Sequence, residues 1–309
     1  MALLGPKKAN QLSPASNAKL VRVVTDSTAS LPHIPATGFG PIVVPLTVFT
    51  PDGPLLEGSQ VSPEMVGHLL SAGEQLSTSQ PSPEAFAVAY TVTPDVGAIV
   101  SVHLSAALSG TFRAAENAAK RTIVPVIAVN SHTTAMGLGF AALAAAECAA
   151  ALQDAGHVAA RAESVAASAR VRFLVESLAH LRKGGRISAG TATFGTALGV
   201  RPILEMDDGR VGLAARVRTK GAALDKLVAL AAADAEEMVR PVFAVHHLDA
   251  PERASKTAEK LAAAVSALPN YSGEEHPITI SPLSAVLGAH VGPGAIAVVV
   301  ADWPPHQHD

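Results

Sequence analysis

The sequence is poor in several things, and each scarcity excludes a class of protein. Among 309 residues there is one cysteine, Cys148. No intramolecular disulfide can therefore staple the fold, and this usage fits a reducing compartment. The thiol sits in an alanine-rich stretch and reads as a small buried hydrophobe. Aromatic residues make up only 4% of a chain that is 49% hydrophobic, so the apolar content is mainly Ala, Val and Leu. A formal net charge of −3 carries no nucleic-acid signature. Long apolar runs are missing as well. The most apolar stretch, 137–152, is interrupted by Glu147 and is shorter than the ~20 residues a spanning helix needs. Lys7 and Lys8 follow a very short apolar start with no apolar core behind them, so no signal peptide is read. A soluble, cytoplasmic protein is expected.

Ready-made catalytic patterns are also lacking. There is no G-x-x-x-x-G-K-[ST] for a nucleoside triphosphate and no G-x-S-x-G nucleophile elbow. Twelve histidines show no metal-binding spacing. His246 and His247 are adjacent and point apart if they lie on a strand, while His306 and His308 fall in a terminal tail. Gly137-Leu138-Gly139 only weakly resembles a dinucleotide fingerprint, because a polar segment separates it from the preceding strand. Close helix packing explains those glycines better. No catalytic residue, metal or cofactor is expected.

What is present is a repeating local pattern. In the first half, short β-branched runs at 21–24, 96–102 and 124–129 each end in small hydroxyl or amide residues and lead into helical segments, the latter two at 112–120 and up to about 152. Such alternation implies βαβ units and a parallel sheet. Ligands of parallel sheets bind outside the carboxyl ends of the strands, where these polar turns and their helix N-terminal amides would lie. The second half predicts helices over 156–170, 221–238 and 252–267 and a short helix closed by Gly184-Gly185. Strands are predicted over 171–175, 241–247, 278–281 and 295–300. The Asp208-Gly209 pair marks a hairpin between 202–206 and 211–217. A length of 309 residues suits two domains. The expected division is a disordered extension at 1–19, an α/β domain at 20–168 with the parallel sheet, a smaller α/β domain at 169–303, and a tail at 304–309.

Charge is uneven. Residues 170–226 hold 11 Lys/Arg against 5 Asp/Glu, a local +6 that leaves −9 elsewhere. This fits either a solvated basic face or an anionic ligand or partner. Four segments rich in Ser, Thr, Gly and Pro stand out: 78–83, 108–111, 181–187 and 288–294. Each has an ordinary explanation. The first could be a helix N-cap with proline in the first turn. Ser109 could cap the next helix, Gly184-Gly185 could end one, and Gly292-Pro293-Gly294 could be a loop.

Taken in order, these segments resemble the DegV family. The matching stretches include Val24-Thr25-Asp26-Ser27-Thr28 through Pro32, Val44-Pro45-Leu46-Thr47-Val48, Thr78-Ser79-Gln80-Pro81 and Leu108-Ser109-Gly110-Thr111. Met136-Gly137-Leu138-Gly139, Arg182-Lys183-Gly184-Gly185-Arg186-Ile187 and Pro202-Ile203-Leu204 follow. Arg216-Val217-Arg218-Thr219-Lys220 and Gly288-Ala289-His290-Val291-Gly292-Pro293-Gly294 complete a set that spans residues 20–301. The resemblance implies two α/β domains with a lipid between them. It implies a binding protein rather than an enzyme: a fatty-acid-binding subunit of bacterial fatty acid kinase. Such a subunit presents the acid to a separate ATP-dependent kinase subunit that makes acyl phosphate for phospholipid synthesis. Carried over residue by residue, Thr78, Ser79, Ser109, Gly110 and His290 would surround the carboxylate. Arg186 and Arg218, both inside the basic segment, would face the kinase or the head group. Two other readings stay open at this point: a Ser109-dependent hydrolase working with His290, and a lipid-sensing regulator.

Overall fold

The computed structural model describes residues 19–32, 40–91, 95–187, 201–274 and 276–305. The expected N-terminal extension, but for its last residue, and the tail histidines His306 and His308 lie outside the described residues. The chain begins with β1 (Leu20–Asp26), a tight turn at Ser27–Ala29, β2 (Ile42–Val44), and a hairpin of β3 (Thr47–Thr50) and β4 (Gly53–Leu56). Next come α1 (Pro63–Ser71), β5 (Ser77–Ser79), α2 (Pro83–Ala89), β6 (Val96–His103), α3 (Thr111–Ala119), β7 (Val126–Asn130), α4 (Met136–Ala150) and α5 (Ala155–Ser168). The remainder is β8 (Arg170–Leu174), α6 (Ala179–Lys183), β9 (Arg201–Asp207), β10 (Arg210–Val217), α7 (Lys220–Glu236), β11 (Pro241–His247), α8 (Pro251–Val265), β12 (Thr279–Pro282), α9 (Ala285–Val291) and β13 (Ile296–Asp302).

Three sheets form among the described residues. The first is all parallel in the order β2-β1-β6-β7, as the βαβ pattern predicts. The second has six strands in the order β10-β9-β8-β13-β11-β12 and is mostly antiparallel. It is wider than the first, with six strands against four. A third sheet, β4-β3-β5, is short and antiparallel.

Side-chain alternation along the strands sets the layers. On β13, Ala297 and Val299 face the core between the two main sheets, whereas Ile296, Val298 and Val300 face the opposite side. Leu227, Val228 and Ala231 of α7 and Ala254 and Leu261 of α8 cover that outer side. On the first sheet, Val100 and Val102 of β6 face inward, while Ile99 turns outward to Phe86 and Tyr90. Helix α4 lies in the central layer and is buried on nearly all sides, which is why its sequence is apolar all round. Its glycines permit that depth. A Cβ on Gly139 would come 2.8 Å from the carbonyl oxygen of Ala29, and one on Gly137 would come 3.0 Å from a Val171 methyl. Close packing therefore accounts for both glycines.

Polar contacts tie the two main sheets together across the central layer. The Ser105 hydroxyl donates to the Gly209 carbonyl at 2.7 Å. The Met136 N–H donates to His246 Nε2 at 3.2 Å. The Ser284 N–H donates to Ser30 Oγ at 2.9 Å. Among the described residues, no helix is long and apolar enough to cross a membrane.

Candidate functional site

A cavity of about 850 Å³, counting the open space at its mouth, lies between the two main sheets. The inward faces of β8, β9 and β10 supply Val171, Phe173, Met206 and Val211, with Ala297 from β13. The ends of the first sheet supply Leu104 and Leu108, and α9 supplies Val286, Leu287 and Val291. Such walls favour an apolar ligand, since each buried methylene contributes roughly 0.8 kcal/mol.

Part of the lining is polar, and some of these side chains are paired. Thr78 Oγ1 and His290 Nε2 are 2.9 Å apart, although 212 positions separate them in the chain. Thr78 and Ser79 come from β5, the outer strand of the small sheet, and His290 from the last turn of α9. Gly184 lies against the imidazole: a Cβ there would be 3.0 Å from His290 Cε1 and closer still to Nδ1. The neighbouring Gly185 has φ +70 and closes α6, its N–H donating to the Arg182 carbonyl at 3.0 Å. The two glycines thus serve different needs, space for the ring and a left-handed helix end. Arg186 donates from Nε to the Leu108 carbonyl at 3.2 Å and also donates to the Gly184 carbonyl. Next to Leu108, the Ser109 and Thr111 hydroxyls are 2.8 Å apart, and the Thr111 N–H donates to Ser109 Oγ at 3.3 Å.

The structure brings Thr78, Ser79, Ser109, Arg186 and His290 to one cavity. Gly110 is the N-cap residue of α3 and makes no side-chain cap. A Cβ there would overlap the Gln80 side chain. Its place shows that Ser109 is not the cap residue the sequence suggests. The segment 78–83 does hold a helix cap with proline in the first turn: Ser82 caps α2, accepting from the Ala85 N–H at 3.2 Å, and Pro83 follows. Arg218 is set apart: it follows β10, is exposed and does not line the cavity. Three further polar residues, not among those expected at the carboxylate, line the cavity: Gln80, and Thr28 and Thr134 in the polar turns expected beyond the carboxyl ends of β1 and β7. The Thr28 hydroxyl is occupied by Asp26 at 2.5 Å, whereas the Thr134 hydroxyl has no hydrogen-bond partner.

Burial, and then the charge of Arg186, push the His290 imidazole down to about 4, so the ring is neutral near pH 7. With the proton on Nε2, His290 donates to Thr78 Oγ1, and the Thr78 hydroxyl proton stays free for a ligand. Ser109 is arranged comparably. If Thr111 donates to it, the Ser109 proton is also free. Two hydroxyls on the one cavity then each have a donor to offer, which is what an incoming carboxylate needs. Ser109 and His290 each bond elsewhere, to Thr111 and Thr78, so the pair expected of a hydrolase is not formed in this geometry. A Ser-His-Asp chain does exist nearby. Ser101 Oγ is 2.7 Å from His103 Nε2, and His103 Nδ1 is 3.0 Å from Asp26 Oδ2. All three are fully buried and line no part of the cavity. Asp26 also accepts from the Thr28 and Leu104 N–H groups at 3.1 and 3.0 Å, so this network braces two lining residues.

The polar wall is also where the cavity adjoins an outer cleft. Thr78, Arg186 and His290 line both spaces, and His180 and Lys183 line the outer one. Elsewhere the basic segment is partly neutralised. Glu176 pairs with Arg201, Lys220 and Arg253, and Arg172 pairs with Glu205 and Asp234. Among the described residues, no group of three or more His, Cys, Asp or Glu side chains is placed to hold a metal ion.

Comparison with known proteins agrees with this architecture. The model of the DegV family of uncharacterised proteins matches residues 20–302. A DegV domain-containing protein of Streptomyces coelicolor is 43% identical over 284 residues, covering 91% of this chain and 98% of that protein. The fatty-acid-binding DegV family protein of Thermus thermophilus superposes with a TM-score of 0.83 at 30% identity, covering 92% of this chain and 100% of that one. DegV of Bacillus subtilis, a fatty acid binding protein, superposes with a TM-score of 0.82 at 28% identity over the same shares. The chain belongs to the DegV family.

Proposed function

We propose that the chain binds one long-chain fatty acid between two α/β domains, 20–168 and 169–303, and presents it to a separate ATP-dependent kinase subunit for acyl phosphate formation. The observation that carries the lipid part is a mainly apolar cavity that also holds the Thr78–His290 pair at 2.9 Å and Ser109. The fatty-acid binding of its relatives from Thermus thermophilus and Bacillus subtilis supports the same reading. In this account Thr78, Ser79 and Ser109 supply donors to the carboxylate, Gly110 lets Gln80 close over the loop, and His290 orients Thr78. Neutral donors satisfy the anion without a close ion pair that would trap it. The acyl chain supplies affinity, since ten buried methylenes contribute on the order of 8 kcal/mol before ordering costs.

Presentation to a kinase rests on the outer cleft. The carboxylate end faces a side lined by Arg186 and Lys183, and exposed Arg218 extends the basic surface. A cationic rim of this kind suits a partner carrying ATP phosphates. The test is mass spectrometry of an organic extract from natively purified protein, followed by acyl phosphate assay with a kinase subunit and ATP. A stoichiometric fatty acid that becomes acyl phosphate is expected. A lipid-loaded protein that no kinase subunit phosphorylates would leave a carrier or sensor and remove the kinase role.

A further inference from the structure

The cavity approaches the surface on more than one side, and the chemistry differs between them. At the polar wall it shares Thr78, Arg186 and His290 with the outer cleft. On another side it abuts a second polar cleft, lined by His132, Arg170, Glu205 and Asp208 among others. Among the described residues, Met206 alone lines both. A third cleft is separated from the cavity by Leu283, but that side chain is 4% exposed and belongs to the core. Met206 is partly exposed, so it spans from the cavity to the surface.

We infer that Met206 closes the tail end of the cavity and sets the longest acyl chain the protein accepts. The inference rests on the fatty-acid reading above. A carboxylate held at Thr78 and Ser109 sends its chain away from the polar wall. Beyond Met206 lie charged residues that do not favour methylenes. An unbranched thioether fills such an end without demanding one shape of ligand. The backbone behind it is fixed. Met206 pairs with Val211 in the β9-β10 hairpin, and both face the cavity. The hairpin tip is pinned where Ser105 donates to the Gly209 carbonyl at 2.7 Å. A Cβ at position 209 would overlap the Ser105 hydroxyl, so the tip sits hard against the loop that follows β6. The side chain rather than a hairpin movement therefore sets the length.

The test is displacement of dansyl-undecanoic acid by saturated acids from lauric to behenic, on the full chain and two variants. In the wild type, affinity rises about fourfold per added methylene until a limiting length. Met206→Ala vacates room for about three methylenes and moves that limit up by about two or three carbons. Met206→Phe moves it down. Lauric acid binding changes little in either variant, because a short chain stops before position 206. If both variants fold, bind lauric acid and keep the wild-type limit, the inference is overturned. If only one folds, its shift or lack of shift decides. A wild type that binds no acid of any length overturns the fatty-acid reading itself, an outcome distinct from an unchanged limit.

Discussion

Glu57 gives the sharpest prediction from burial alone. It is 8% exposed, and its Oε1 accepts the Val286 N–H at 3.1 Å in the first turn of the helix that carries His290. Oε2 has no hydrogen-bond partner. Burial outweighs the hydrogen bonds from Ser27 and the start of α9 and lifts the carboxyl from 4.5 to about 7. The sign of the pH dependence follows. Below pH 4.5 the group is protonated in both states and imposes no penalty. Between pH 4.5 and 7 the unfolded chain ionises it while the folded chain does not, so stability is lost as pH rises, by about 1.4 kcal/mol per unit. The full loss is on the order of 3 kcal/mol above pH 7. Glu57→Gln keeps an acceptor for Val286 and cannot ionise. Relative to wild type it should therefore gain about 2 to 3 kcal/mol between pH 5 and pH 8, read by urea unfolding at each pH. Other titrating groups cancel in this difference. A difference that stays flat across the range would refute the reasoning.

Other outcomes follow from the same geometry. Gly184→Ala should displace the His290 ring and weaken fatty-acid binding roughly tenfold, whereas Gly185→Ala should lower stability by about 1 kcal/mol through its left-handed backbone and spare affinity; calorimetry and thermal unfolding separate the two. Burial holds His246 down to about 4, so its contribution is complete above pH 6.5 and is lost as pH falls toward 4. The stability advantage of wild type over His246→Gln should then shrink by on the order of 3 kcal/mol between pH 7 and pH 4, measured by denaturant titration. Arg218→Ala should leave lipid content unchanged and reduce acyl phosphate formation; a loss of lipid would show that Arg218 supports the cavity.

The sequence made the framework legible and left the site half hidden. Runs rich in β-branched residues mark β1, β6, β11 and β13, whose central residues are buried on both faces. Asp208-Gly209 marks the hairpin, since its turn needs the positive φ that both residues adopt. The small sheet that carries Thr78 was not legible. Its strands are three or four residues long, too short for alternation to register. Helix α9 was equally obscure, because its seven residues run straight into Gly292 and Gly294, both with positive φ, and the whole reads as a loop. Resemblance supplied Thr78, Ser109 and His290, but not Gln80, Thr28 or Thr134. Thr28 and Thr134 do lie in the polar turns expected beyond the strand ends, but no local pattern records which side chains of those turns reach the cavity.

The most direct test of the account compares palmitic acid with methyl palmitate, by calorimetric titration of delipidated protein. The two share a chain and differ at the carboxylate, so the comparison isolates the polar wall. The acid should bind at least tenfold more tightly than the ester, and combining Thr78→Val with Ser109→Ala should abolish that preference while ester binding persists. Equal affinity for acid and ester in the wild type would contradict the account, because the cavity would then recognise the chain alone.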